Sequence, residues 1–275
     1  MKTERRTRWI IAIPMALLGL ATLYPMFFAA NISMMSKLEF VINPLSLAKQ
    51  FGLSNYIEAW LTSSIGTYLI NSIVVTVSTV VLLAIIGSMA GYSFSQLKFR
   101  GSQTLFLLCL AAMMIPFQVI MVPFVKVLSE IGLLDTYPGL VLAYVGQFLP
   151  FTVYLMTSYY ARIPREIIEA ARIDGNTTWG VYRRIMIQLG KPALLSISIL
   201  NALFCWNDIL IALLVMRSPQ HRTVMIGVAS LLGQYPDNMP TYIAGVVIAA
   251  LPMVLVYLVF QRQIAAGVVV GATKG

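Results

Sequence analysis

Long apolar runs alternate with short polar segments along almost the whole chain. Six of the runs reach the roughly 20 residues a helix needs to cross a bilayer core. They lie near residues 9–30, 68–97, 104–125, 139–160, 193–216 and 241–260. Hydrocarbon offers backbone N–H and C=O groups no partner but each other, so each run predicts a helix. The pattern as a whole predicts a single all-α transmembrane domain, 1–275. The first run contains Pro14 and Pro25 and follows Lys2, Arg5, Arg6 and Arg8, as the apolar part of a secretory signal would. It is too long for that, and an uncleaved first span is expected. Residues 31–66 form a mixed loop, and Lys126, Glu130 and Asp135 mark a short connection between the third and fourth spans.

The densest charge lies between the fourth and fifth spans, at 161–192. Arg162, Arg165, Arg172, Arg183, Arg184 and Lys191 stand there with Glu166, Glu169 and Asp174. Pro164 suits a first helical position, where a missing N–H costs nothing, and 165–173 holds good helix formers with neither Gly nor Pro. Asp174-Gly175 ends that helix, because Gly accepts the left-handed conformation common at helix C-termini. Thr177 or Thr178 caps a second helix running to about Leu189, and Pro192 opens the next apolar span. The expectation is a two-helix elbow carried on rigid spans. It would offer Ile167, Ile168, Ala170 and Ala171 to a partner's groove. Glu169 has two readings: a charge-assisted hydrogen bond to a partner, or a weak surface pair with Arg165 or Arg172.

Composition strengthens the membrane reading. The chain is 59% hydrophobic and only 11% charged, with mean hydropathy +0.84, against about 25% charge in soluble domains. Charge also predicts orientation. With the N-terminus in the cytoplasm, fourteen of the 19 Lys and Arg fall inside, leaving Lys37, Lys49, Lys126, Arg217 and Arg222 outside. This bias predicts cytoplasmic termini and a cytoplasmic elbow. The net charge of +9 is then topology and anionic lipid contact, with no nucleic acid required.

Chemistry within the spans is sparse. Asp208 is the one acid inside an apolar run; it either serves a substrate path or makes a structural hydrogen bond near the end of the fifth helix. Asn201, Asn207, Gln118 and Gln147 either line a passage for hydroxyl-rich solutes or join helices. Gly87 and Gly91 form a G-x-x-x-G that predicts a close helix contact. Cys109 and Cys205 read as small apolar residues. The single His221 and the absence of metal-ligand spacing give no metal site, and no G-x-x-x-x-G-K-[ST] cradles a phosphate. No bound cofactor and no catalytic residue are expected.

Glu169-Ala170-Ala171, Asp174-Gly175 and the Ile/Leu-rich run to Pro192 resemble the EAA loop of permeases of binding-protein-dependent ABC importers. The carbohydrate (maltose-type) branch is the nearest. Ile163-Pro164, Phe99-Arg100-Gly101, Trp206-Asn207-Asp208 and the ending Gln261-Arg262, Gly267, Gly271-Ala272, Lys274-Gly275 extend the resemblance over nearly the whole chain. Gln188 departs from it, standing where such sequences usually have Pro, so the second elbow helix is expected to run on without a kink. The resemblance implies a six-span type I importer permease in a bacterial or archaeal cytoplasmic membrane, docking an ATPase subunit through Glu169. It implies a second homologous permease, two ATPase subunits holding ATP and Mg, and an extracytoplasmic solute-binding protein. The solute would be a sugar, oligosaccharide or polyol, or alternatively a glycerol phosphodiester. The tail, 261–275, carries no amphipathic stripe, so no independent helix is expected beyond Ala266. It is either a plain chain end or, as the resemblance implies, a contact with the ATPase through Gly271, Lys274 and Gly275. A stand-alone secondary transporter would need mid-membrane ion sites and inverted repeats, and neither is visible.

Overall fold

The computed structural model describes residues 2–49, 52–97, 99–235 and 237–272, and those residues are helices joined by short turns. In order they are α1 (Lys2–Met34), α2 (Lys37–Ile42), α3 (Ser54–Thr62), α4 (Ile65–Gln96), α5 (Ser102–Ala112), α6 (Phe117–Glu130), α7 (Tyr137–Tyr160) and α8 (Arg165–Ile173). Next come α9 (Thr178–Val181), a π-helical turn (Tyr182–Met186) and α10 (Ile187–Asn207). The last are α11 (Leu210–Val215), a 3-10 turn (Pro219–His221), α12 (Val224–Gln234) and α13 (Met239–Ala272). Five helical stretches are each long and apolar enough to span a bilayer, and the bent pair α5–α6 brings the count to six.

Three spans differ from the expected ones. The third is not one helix: α5 and α6 meet at 98°, because Pro116 lacks an N–H and disfavours helical geometry at Ile115 before it. The fifth begins at Thr178, well before Pro192, and ends at Asn207. Proline removes one backbone hydrogen bond, at roughly 3 kcal/mol. The burial of Val181, Tyr182, Met186 and Ile197 holds the helix continuous across it. The segment continues past Asn207 only as α11, whose Ala212 N–H donates to the Asp208 carboxylate at 2.9 Å. The sixth does not stop at residue 260. Extending an existing helix needs no new nucleus, and α13 runs on to Ala272, past Ala266.

The described residues divide into two compact units. The first takes α1–α3 with Gly227–Leu251. Its loop is pinned by polar side chains: Asn55 Nδ2 donates to the carbonyls of Ser33 (2.9 Å) and Met35 (2.7 Å), and Thr241 Oγ1 donates to Glu58 at 3.0 Å. Residues 12–27 of α1 are exposed within the chain, so lipid or another subunit must cover them. The second unit, Thr67–Ile226 with the segment from Pro252, centres on α7, more than half of whose span is buried. Gly87 and Gly91 of α4 lie on α7 as their spacing predicts. A Cβ at Gly91 would stand 2.6 Å from Met156 Cβ, and one at Gly87 would meet Thr152.

Candidate functional site

The elbow forms with the expected first helix, α8, over Arg165–Ile173. Its closure follows from Gly175, whose φ of +81° reverses the chain. Gly175 N–H donates to Arg172 O at 3.0 Å and Asn176 N–H to Ala171 O at 3.1 Å, the paired bonds of a Schellman ending. Asn176 Nδ2 donates to Ala171 O as well (3.0 Å), and Arg184 Nη1 donates to Asn176 Oδ1 at 3.2 Å. Thr177 then caps α9, accepting from Gly180 N–H at 3.1 Å. The turn is thus tied to both helices it joins.

One face of α8 is used internally. Ile168 and Ala171, three residues apart and so on one side of the helix, are buried with Tyr160, Val181, Tyr182 and Met186. The expectation that they face a partner is corrected here: they attach the elbow to its own spans. Ile167, Glu169, Ala170, Asp174 and Gly175 remain exposed. Among the described residues, an ion pair joins Lys126 to Glu130, and His221 lies within 4.0 Å of Asp135. Glu169 is in neither, so its pairing with Arg165 or Arg172 is not formed. Two large apolar side chains on this surface escaped the sequence reading, Ile173 (86% exposed) and Trp179 (57% exposed). Their signal was available: an Ile directly before Asp174-Gly175 lies off the face defined by Ile168 and Ala171.

Beneath the elbow the packing is close. Tyr182 Oη and Ser88 Oγ are 2.8 Å apart, Tyr92 stacks on Tyr182 with centroids 5.7 Å apart, and Gln96 Nε2 donates to Tyr160 O at 2.6 Å. A Cβ at Gly190 would stand 2.6 Å from the Tyr160 ring. The elbow is therefore packed against α4, α7 and α10.

The other candidate residues are not gathered into one place. Asn201 is buried and donates to Thr152 Oγ1 at 2.9 Å. Asp208 accepts from Tyr144 Oη at 3.0 Å and from Ala212 N–H, joining α7, α10 and α11. Asn207 is exposed and donates to Leu203 O in its own helix at 2.9 Å. Gln118 and Gln147 are exposed on α6 and α7. The tertiary structure does gather rings that lie far apart in sequence: Phe148 of α7 stacks on Phe204 of α10 at 5.6 Å, with Tyr144 and Phe151 alongside. Of the tail residues, Gly271 is in the last turn of α13, while Lys274 and Gly275 lie outside the described residues.

A second turn stands at the opposite end of α7. Asp135, at φ +60°, accepts from the backbone N–H of Arg217 (2.9 Å) and Ser218 (3.0 Å) and from the Ser218 hydroxyl. His221 Nδ1 lies 3.3 Å away. Partial burial disfavours its charge, but the bonds from Ser218, His221 and Arg217 outweigh that and hold the carboxyl at about 2.

Residues 83–269 match the family described as binding-protein-dependent transport system inner membrane component. The diacetylchitobiose uptake system permease protein NgcG of Streptomyces coelicolor is 31% identical over 99% of this chain and 91% of its own length. The arabinooligosaccharides transport system permease protein AraQ of Halalkalibacterium halodurans is 32% identical over 100% and 99%. In a crystal structure of a bacterial ABC transporter involved in the import of the acidic polysaccharide alginate, one chain shares the fold, with TM-score 0.70, 12% identity and 96% coverage of each chain. The elbow, the spans that carry it and these likenesses agree: the chain belongs to the family of inner membrane permease components of binding-protein-dependent ABC importers.

Proposed function

We propose that this chain forms half of the translocation pathway of an ATP-driven importer of oligosaccharides, and that its elbow transmits the ATPase cycle to the spans. The observation that carries the reading is the exposed outer face of α8 and its turn. Glu169 and Asp174 stand there without an ion pair beside Ile167, Ala170 and Ile173, on a helix whose inner face is locked to the spans. Unpaired acids next to exposed apolar groups suit a partner surface that supplies cations and an apolar groove. The positive-inside bias supports cytoplasmic termini and a cytoplasmic elbow. The partners are a second homologous permease, two ATPase subunits that hold ATP and Mg, and an extracytoplasmic solute-binding protein. Gly271 and the residues after it reach toward the ATPase pair.

The relatives named for diacetylchitobiose and arabinooligosaccharides support a carbohydrate solute. The Phe148–Phe204 stack, with exposed Gln147 and Asn207 near it in sequence, offers apolar ring faces and amides, the combination that suits a sugar's two faces. Asp208 accepts from Tyr144, whose ring lies beside Phe148, and Asn201 donates to Thr152 of the same helix. Reconstituted vesicles test the whole reading: uptake should require ATP, the ATPase subunits and the binding protein together. Uptake by this chain and its permease partner alone, driven by an ion gradient, would refute it.

A further inference from the structure

A cleft beside the elbow turn shares only Trp179 with the exposed elbow surface described above. It measures about 660 Å³ and is lined by Thr177, Trp179, Gly180, Arg183, Arg184 and Gln188. Two cations and no acid face it. The π-helical turn Tyr182–Met186 is wider than an α-turn, which brings the successive side chains Arg183 and Arg184 closer in direction so that both border one space. The amide of Gln188 completes the polar side, and the exposed ring of Trp179, tilted on Tyr182 at 5.1 Å, forms the other.

The height of the cleft follows from helix length. The run Thr178–Asn207 has 30 residues, which at 1.5 Å per residue is about 45 Å, whereas the hydrocarbon core takes about 30 Å. About ten residues must therefore stand outside the core. Arg183, Arg184 and Lys191 all lie in the first half of the run and none in the second, so the excess is at the cleft end. That places 178–188 in the headgroup layer, where Trp is enriched and where anionic lipid attracts Arg.

We propose that this cleft binds the phosphate headgroup of an anionic phospholipid. Arg183 and Arg184 hold the phosphate, a geometry their planar donor forks suit, Thr177 and Gln188 hydrogen-bond the headgroup hydroxyls, and Trp179 sets the depth. Because Arg184 also donates to Asn176 in the elbow turn, a bound headgroup steadies that turn. The site goes beyond the coupling reading and needs only that the chain sits in a bilayer.

Native mass spectrometry of the assembled importer tests this, with dioleoyl phosphatidylglycerol and dioleoyl phosphatidylcholine as probes. The wild-type complex should retain phosphatidylglycerol at least fivefold over phosphatidylcholine. Arg183→Gln with Arg184→Gln should abolish that preference, Arg183→Gln alone should weaken it about threefold while sparing the Asn176 contact, and the paired Lys replacements should keep most of it. An unchanged preference in the double Gln variant overturns the proposal. So does displacement of phosphatidylglycerol by equimolar inorganic phosphate, which would make this a free-phosphate site. Loss of the ATPase subunits from the double variant, with lipid retention intact, would instead assign the cleft to the partner interface and equally overturn it.

Discussion

Two acidic turns flank α7, and they treat their carboxylates in opposite ways. At one end Asp135 accepts hydrogen bonds from Arg217 and Ser218, with His221 Nδ1 3.3 Å away. At the other, Asp174 and Glu169 stand in solvent with no ion pair among the described residues. Each turn contains a positive φ, at Asp135 (+60°) and at Gly175 (+81°), so backbone shape does not separate them. What separates them is where the hydrogen bonds go. The Asp135 turn spends its side chain on closing the fold, tying the α6–α7 connection to the segment after α11. The Gly175 turn closes through backbone bonds to Arg172 and Ala171 and through Asn176, which leaves its acids available. A charge already saturated within its chain is structural, and one left unpaired on a rigid support is available to another molecule.

The comparison can be broken most sharply at Gly175. No atom lies within 4 Å of a Cβ built there, so Gly175→Val acts through conformation alone, at about 1–3 kcal/mol for a β-branched residue at positive φ. ATP-driven uptake should fall at least tenfold while the amount of protein in the membrane stays near normal. Normal uptake would show that the elbow does not depend on this reversal. Glu169→Gln comes next. It should lower solute-stimulated ATP hydrolysis of the assembled importer several-fold and leave the thermal midpoint of the purified chain unchanged, since the carboxylate stabilises nothing within it; a lowered midpoint would mean that it does.

Asp135→Asn should show the reverse pattern. An amide cannot accept from every donor around it, so roughly 1–3 kcal/mol of hydrogen bonding is lost. The midpoint should drop by several degrees with little change in coupling per assembled complex. The same turn has a signed pH response. Its folded pKa of about 2 lies below the ordinary 3.8, so its stabilisation is complete above pH 3.8 and disappears as pH falls through about 2. Wild type minus Asp135→Asn stability, measured by chemical unfolding at successive pH values, should converge in that window; a difference that stays constant across it would show that the carboxylate's charge does not stabilise the turn. The smallest effect is expected at Asp208→Asn. Its one remaining carbonyl oxygen can still accept from Tyr144 and Ala212, so stability and substrate affinity should stay within error. A large loss of uptake would assign the charge itself a role in the path.

Much of this was legible in the order of residues. Apolar runs of bilayer length announce helices because hydrocarbon permits little else. The elbow helix was readable to its ends, since Pro164 and Asp174-Gly175 are local signals that act through φ and missing donors. Local chemistry also placed a cap at Thr177 or Thr178, of which the fold uses Thr177, and Gly87 and Gly91 as a contact. The family, too, was readable from the Glu169 to Gly175 motif. Other features depended on groups remote in sequence. Which face of α8 turns inward was settled by Tyr160, Tyr182 and Met186 packing on Ile168 and Ala171. The continuity of the fifth helix through Pro192 was settled by burial that outweighs one hydrogen bond. The Phe148–Phe204 stack, the cleft at Arg183 and Arg184, and the saturation of Asp135 by residues about 80 positions away likewise arise from contact between distant segments. Local signals act over a turn or two of helix; which side chains meet across the fold depends on packing free energies summed over the whole of it, and those come into being only when the helices assemble.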